Sequence, residues 1–215
     1  MSDATSQLAV ANEALAELKQ VAGITSIADG PGTTTEQKYC KRFFEPCRKA
    51  VLRAHDWPFA RKPICVVASY DAETGTWSFP IQTDSVRTIK VSSQGQPVSY
   101  EIQGTSIVCL RPPDRILYTE DVRDIDLWDP LARDALVQLL ASKLAEPVSG
   151  REDAWTKHFN MYKAAVDEAK LASARESHTH YGSRKNGSPD YPAAMSSRFA
   201  NPGTSQTTLA REIPT

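Results

Sequence analysis

The stretch Thr34–Lys62, TTEQKYCKRFFEPCRKAVLRAHDWPFARK, constrains the fold more than any other segment. Cys40, Phe43, Phe44, Cys47, Val51 and Ala54 recur at steps of three and four, which sets them on one face of a helix. Lys38, Lys41, Arg42, Arg48, Lys49 and Arg53 fall largely on the other face. Pro46 opposes this pattern, because a proline inside a helix costs about 3 kcal/mol. The apolar face nevertheless stays in phase from Phe43 through Cys47 to Val51, which predicts one bent helix rather than two. Thr33 with Glu36, or Thr34 with Gln37, supplies a capping box at its start. At its end Pro58 biases Trp57 away from helical angles. Such a helix needs a larger apolar surface to dock on, so the remaining segments must supply a core.

They do so in two periodicities. Leu8, Ala11, Leu15, Leu18 and Ala22 predict a first amphipathic helix, with Ser6 as cap and Gly23 as stop. From Pro63 to Asp121 the period changes to two. Strands are expected at Ile64–Ala68, Thr76–Phe79, Val86–Val91, Val98–Ile102, Ser106–Leu110 and Ile116–Thr119, separated by turn residues. Short strands with tight loops predict an antiparallel meander, a sheet or half-barrel. Helical spacing then returns. Asp129-Pro130 opens a helix with Leu131, Ala135, Leu136, Leu139, Leu140 and Leu144 on its apolar face, closed by Pro147. Ser149 to Glu152 reads as a second capping box, followed by Ala154, Trp155, Phe159, Tyr162, Val166 and Ala169, to about Ser173. The short loop between these two helices predicts an antiparallel hairpin. The fold class is therefore α+β: a bundle of about four helices (1–62 and 122–176) with a small antiparallel β insert (63–121) and an extended C-terminal tail (177–215). Trp57, Phe59, Trp128 and Trp155 are its expected structural anchors.

The formal net charge of −1 excludes a generic nucleic-acid binder, but the charge is uneven. Residues 36–62 hold eight Lys/Arg against three Asp/Glu, and residues 120–129 hold five acids against Arg123 alone. That asymmetry predicts pairing within the chain or between neighbouring copies. Arg42, Arg48, Lys49 and Arg53 are the candidate cations, and Asp121, Asp124 and Asp126 the candidate acids. Cys40, Cys47, Cys65 and Cys109 form no C-x-x-C pair and read as buried, reduced thiols, consistent with assembly in a reducing cytoplasm. No apolar run approaches a membrane span, and the start of the sequence lacks the pattern of a signal peptide. Nucleophile elbows, zinc-protease helices and calcium loops are missing from the sequence, so neither catalysis nor a cofactor or metal is expected. After Ser177, Ser, Thr, Asn, Gly and Pro dominate, and Tyr181, Tyr191, Phe199, Leu209 and Ile213 occur singly. Spaced apolar anchors on a polar segment suit one that orders against a partner.

Cys47-Arg48-Lys49-Ala50-Val51-Leu52-Arg53-Ala54-His55-Asp56-Trp57-Pro58-Phe59-Ala60-Arg61-Lys62 resembles the R-x-x-L-R-x-H-x-W-x-F-A signature of head-to-tail connector proteins of tailed phages, the tail tubular protein A family of short-tailed phages among them. Leu8 to Leu15 resembles the first helix of that family. Phe79-Pro80-Ile81-Gln82-Thr83-Asp84-Ser85-Val86-Arg87 resembles its L-P-x-D-x-x-R strand element, with Phe79 in place of Leu and one extra residue before Asp84. Tyr118, Asp121, Val122, Asp126, Leu127, Trp128 and Asp129 also fit. The similarity spans roughly residues 6–175 and leaves out the tail.

This resemblance implies a virion structural protein of the tail or neck. Such adaptors form a ring, usually a homododecamer, beneath the portal protein, extend the DNA channel for ejection, and carry the tail nozzle protein, with tail fibres as a further partner. Contact with genomic DNA would be transient and non-specific. On that reading Arg42, Arg48, Lys49 and Arg53 meet Asp121, Asp124 and Asp126 of a neighbour, and Tyr181, Tyr191, Phe199, Leu209 and Ile213 dock on the portal. The alternative from the residues alone is a cytoplasmic nucleic-acid-binding module using the basic helix 36–55 with Trp57 and Phe59.

Overall fold

The computed structural model describes residues 3–19, 23–27, 34–150 and 152–180. Among them four α-helices frame two antiparallel sheets. Helix α1 (Asp3–Glu17) and helix α2 (Thr35–Ala54) precede the strands β1 (Arg61–Cys65), β2 (Ser69–Asp71), β3 (Thr76–Pro80), β4 (Ser85–Ser93), β5 (Gln96–Pro97), β6 (Tyr100–Gln103), β7 (Ser106–Cys109) and β8 (Arg115–Glu120). Helices α3 (Pro130–Leu144) and α4 (Glu152–His180) follow. The chain is α+β, with the strands inserted between helical segments.

Helix α2 starts at the expected capping box: the Thr34 hydroxyl accepts from the Gln37 N–H, and the Gln37 side chain accepts from the Thr34 N–H. It runs unbroken through Pro46. Its buried face is Cys40, Phe44, Cys47, Val51 and Leu52, with Arg48 added. This face joins Val10, Leu15, Leu136, Leu140 and Leu144 in the larger core, where α3 packs on both α1 and α2. Nearly every side of α3 is buried, from Ala132 to Leu144. It also meets α4 in the antiparallel sense that the short loop predicts: His158 Nδ1 pairs with the Gln138 Oε1 at 2.8 Å, and Leu131 lies beside Ala169 and Ser173. Helix α4 contributes Val166 and Ala169 to the core.

Several boundaries differ from the sequence reading. Helix α1 begins at Asp3, ahead of Ser6, which is buried within it. It stops before Gly23 because Lys19 takes left-handed angles (φ 60°). The chain is then held back against the helix by Asn12, which accepts from the Ile24 N–H at 2.8 Å and donates to the Ile24 carbonyl at 3.0 Å. Gly23 has a different task there: a Cβ on it would come within 3.1 Å of the Asn12 Oδ1. Beyond α3 the chain makes a π turn, Ala145–Ser149, closed by Gly150 at φ 63°. The Ser149 hydroxyl donates back to the Ala145 carbonyl, and the expected capping box rests on the side chain of Glu152, which lies outside the described side chains. Helix α4 continues past Ser173 to His180. The tail anchors Tyr181, Tyr191, Phe199, Leu209 and Ile213 lie outside the described residues.

The insert is not a meander. Its sheets have the orders β1-β8-β4-β5 and β2-β3-β7-β6, so its first and last strands pair directly, Arg61 opposite Thr119 and Cys65 opposite Arg115. Pairing across the whole insert draws Arg61 and Lys62 into the sheet, ahead of the expected start at Pro63. The two sheets enclose a second core of Phe79, Val91, Ile107, Ile116 and Tyr118. Because β1 alternates with Lys62 and Ile64 turned inward, Cys65 is exposed, against the expectation of four buried thiols. Cys40, Cys47 and Cys109 are buried, and all four cysteines are free. Burial pushes the Cys40 thiol up to about 11 and the Cys47 thiol to about 12, so both stay protonated at neutral pH.

Candidate functional site: the joint of helical body and insert

Where α2 hands the chain to β1, and where β8 hands it back toward α3, a set of polar and aromatic side chains converges. Three groups make up this joint.

The first is built on Arg48, whose side chain is fully buried. Its guanidinium forks onto Glu45, one turn earlier, with Nη2 at 2.8 Å from Oε2. Its Nη1 lies 2.7 Å from Asp121 Oδ1 and donates to the Val122 carbonyl at 3.0 Å. Burial opposes the charge, but the two carboxylates outweigh it and hold the Arg48 proton more firmly than usual. The sequence reading set Arg48 on a solvated face, aimed at a neighbour. The structure instead spends both Arg48 and Asp121 inside one chain. Planar, multiply donating arginine is the side chain suited to such a site.

The second group is aromatic. The Trp57 ring is buried, and its Nε1 donates to the Val51 carbonyl at 2.8 Å, closing the last turn of α2. Trp57 takes extended angles (φ −70°, ψ 125°), as the following proline demands, and Pro58–Ala60 forms a 3-10 turn. Phe59 packs between Trp57 (5.9 Å between centroids) and Trp128 (5.5 Å). Trp128 Nε1 donates to the Val122 carbonyl that Arg48 also uses. His55 meets Trp57 edge-on and pairs through Nε2 with the Ser173 hydroxyl of α4 at 3.1 Å. Trp155, the fourth expected anchor, is 41% exposed and stacks on Phe159 at the surface of α4. It lies in the first turn of α4, away from the buried Val166 and Ala169 stretch.

The third group was not singled out as a unit from the sequence. Lys62 stands opposite Tyr118 across β1 and β8. Its ammonium bridges Asp84 Oδ2 (2.8 Å) and Glu120 Oε1 (2.6 Å), and the Tyr118 hydroxyl donates to Asp84 Oδ1 (2.9 Å). The Asp121 N–H donates to the Asp84 carbonyl at 2.7 Å, and Arg87 Nη1 to the Arg53 carbonyl at 3.1 Å. The signal available in the sequence was the i, i+2 phase of Lys62 with Ile64, which turns both to the same side.

Hydrogen bonds from Lys62 and Tyr118 hold the Asp84 carboxyl below its ordinary range. A carboxyl depressed in the folded state stabilises fully above its unfolded pKa, near 3.9, and loses that contribution as pH falls through its folded value. Asp84→Asn is therefore expected to lower the urea midpoint by a constant amount from pH 7 to pH 5. The gap to wild type should close below pH 4. A constant gap at every pH would show that the Lys62 contact carries no stability.

The other expected interface residues are not brought together. Arg42 is exposed and lies over the Phe43 ring at 5.7 Å. Lys49 is exposed, and Arg53 reaches the Val86 carbonyl at 3.4 Å. Asp124 caps a 3-10 turn by accepting from the Asp126 N–H, and Asp129 caps α3 through the Leu131 N–H. Among the described residues no group of three or more His, Cys, Asp or Glu is placed to hold a metal, and no helix is long and apolar enough to cross a membrane. The joint ties helical body and insert together through short polar and aromatic contacts, although Arg87 Nε, Thr119 Oγ1 and Asp121 Oδ1 are buried without a hydrogen-bond partner among the described residues. Lys62, Asp84, Glu120 and Tyr118 are turned on one another, while Asp121 and Arg53 also border an open cleft beside α2. Comparison with protein-family models matches none of them to this chain, and comparison with curated proteins gives no match.

Proposed function

We propose that this chain is a structural adaptor of a phage tail, non-catalytic, forming a ring of copies beneath the portal that extends the DNA channel and supports the nozzle. One observation carries the reading: three of the four scattered segments that resemble the connector family meet at one joint. Leu52, His55, Trp57 and Phe59 come from the first, Asp84 and Arg87 from the second, and Tyr118, Asp121 and Trp128 from the third. Arg87 donates to Arg53, Tyr118 to Asp84, and Trp128 packs on Phe59. A chance likeness in three separate segments has no reason to be contiguous in space. A rigid joint suits a ring subunit, in which a projecting insert must keep its angle to the body in every copy.

Electron microscopy of the protein mixed with portal rings of its virus tests the proposal. A second ring beneath the portal is the expected result, and portals with nothing added would sink it. Ending the chain after Gly182 should abolish that second ring while leaving the helical circular-dichroism signal intact, because Tyr191, Phe199, Leu209 and Ile213 are proposed to dock on the portal. The competing reading, a nucleic-acid module, draws on the exposed cations of α2. It would be favoured by tight duplex binding of the isolated chain with a steep salt slope.

A further inference from the structure

With Arg48 turned inward, four of the five cations left on α2 form a stripe. Lys38, Arg42, Lys49 and Arg53 are separated by four, seven and four residues, which sets them along one side of the helix. All four are exposed, and none has a carboxylate partner among the described residues. The C-terminal half of the stripe borders an open cleft of about 340 Å³ between α2 and the start of β4. Lys49 and Arg53 stand on its wall, and Pro46, Ala50 and Val86 supply apolar surface within it. Asp121 also reaches the cleft, but its charge is matched by Arg48.

The same chain carries a shape of opposite character. The 3-10 turn Ile125–Leu127 is fixed from both sides, by buried Ile125 and by buried Trp128. Between them Leu127 is held outward at 65% exposure. Asp124, Asp126 and Asp129 flank it along the chain, with exposed Arg123 just before them, and Asp124 fixes the turn through the Asp126 N–H. A single exposed leucine is ordinary. A leucine held out on a braced turn, flanked in sequence by three carboxylates, is a preformed knob with an apolar tip and acidic shoulders. It matches a cleft with apolar surface and a cationic wall.

We infer that the turn Asp124–Asp129 of one copy seats in the α2 cleft of a second copy, with Leu127 against Pro46, Ala50 and Val86 and Asp126 facing Lys49 and Arg53. This rests on the ring reading above and names the surfaces that would join the copies. Knob and cleft are different patches, so each can engage a separate neighbour, the head-to-tail contact that generates rings when the rotation closes. Its charges lie at the rim, so they set the rate and the salt dependence of association, while the leucine supplies desolvated contact.

Two variants with one exposed thiol each test this directly, Ala50→Cys and Leu127→Cys, each also carrying Cys65→Ser to remove the exposed native thiol and leaving Cys40, Cys47 and Cys109 buried. Mixed at low salt under mild oxidation, they should give a disulfide-linked pair containing one of each, and neither alone should give that product. Lys49→Glu with Arg53→Glu on the Ala50→Cys partner should lower the yield about tenfold. Adding Asp126→Lys to the Leu127→Cys partner should restore it. Circular dichroism of each variant controls for folding. Absence of the mixed product, or a yield indifferent to charge reversal, overturns the inference. The two readings fail separately. Rings that form on portals without the 50–127 cross-link overturn only the knob and cleft. Absence of rings and of cross-link overturns both.

Discussion

Arg48→Met is expected to lower the unfolding free energy by about 3 kcal/mol, toward the low end of what breaking a buried ion pair costs. The loss comes from what is left behind. Asp121 keeps 15% side-chain exposure, so its carboxylate would sit largely desolvated with only the exposed Arg123, 3.8 Å away, as counter-charge. The Val122 carbonyl would keep only Trp128 as a side-chain donor. Glu45 is half-exposed and would return to water, so Glu45→Gln should cost no more than about 1 kcal/mol. Replacing Asp121 as well, as Arg48→Met with Asp121→Leu, should recover part of the loss, since it removes the stranded charge. Arg48→Lys should restore little, because one ammonium cannot span Glu45, Asp121 and Val122 as the fork does. Urea unfolding of the single and double variants measures each value. If Arg48→Met stayed within 1 kcal/mol of wild type, Asp121 would have to be solvated and the joint far softer than its distances indicate.

Trp57→Ala is the second large effect, at about 3–5 kcal/mol, the usual range for emptying a buried aromatic site. The indole fills the junction between α2 and the turn, touches His55 and Phe59, and satisfies a carbonyl of the last helical turn. Trp57→Phe separates these contributions. It keeps most of the packing but removes the N–H donor to Val51, which predicts a smaller loss of about 1–2 kcal/mol. The near-ultraviolet signal of the Trp57–Phe59–Trp128 cluster should fall in both variants, and more in the alanine one. Equal losses in both would assign the whole effect to the hydrogen bond and none to packing.

Much of this fold could be read from residue spacing, and its failures have identifiable causes. Helix α2 is legible because its apolar face, capping box and Trp-Pro terminator all point the same way. Arg48 misleads because its residue type contradicts its position. It lies four residues after Phe44 and three before Val51, on the buried stripe, so its phase already turned it inward. An arginine reads as solvated unless its partners are known, and Asp121 and Val122 lie more than 70 residues downstream. The strands were legible by alternation, but alternation carries no information about partners. The β1–β8 pairing could not be inferred from it, nor could the Lys62–Asp84–Glu120–Tyr118 group that the pairing assembles. Strands β2 and β5 span three and two residues, too short for a period to show. At the joint, Trp57, Phe59, Trp128 and Asp121 could each be named from sequence; their convergence needed the coordinates.

The direct pairing of β1 with β8 bears on the order in which the chain can organise itself. For α2 to find α3, about 75 residues of chain must close if the insert is unfolded. Once the insert has folded, Arg61 and Thr119 sit side by side and the effective gap shrinks to about 16 residues, 55–60 and 120–129. Loop closure costs roughly 0.6 kcal/mol per doubling of length, so about two doublings are removed, on the order of 1 kcal/mol. The insert thus acts as a clasp for the body: early formation of its outermost strand pair would speed helix docking, and a slow β1–β8 zipper would delay it.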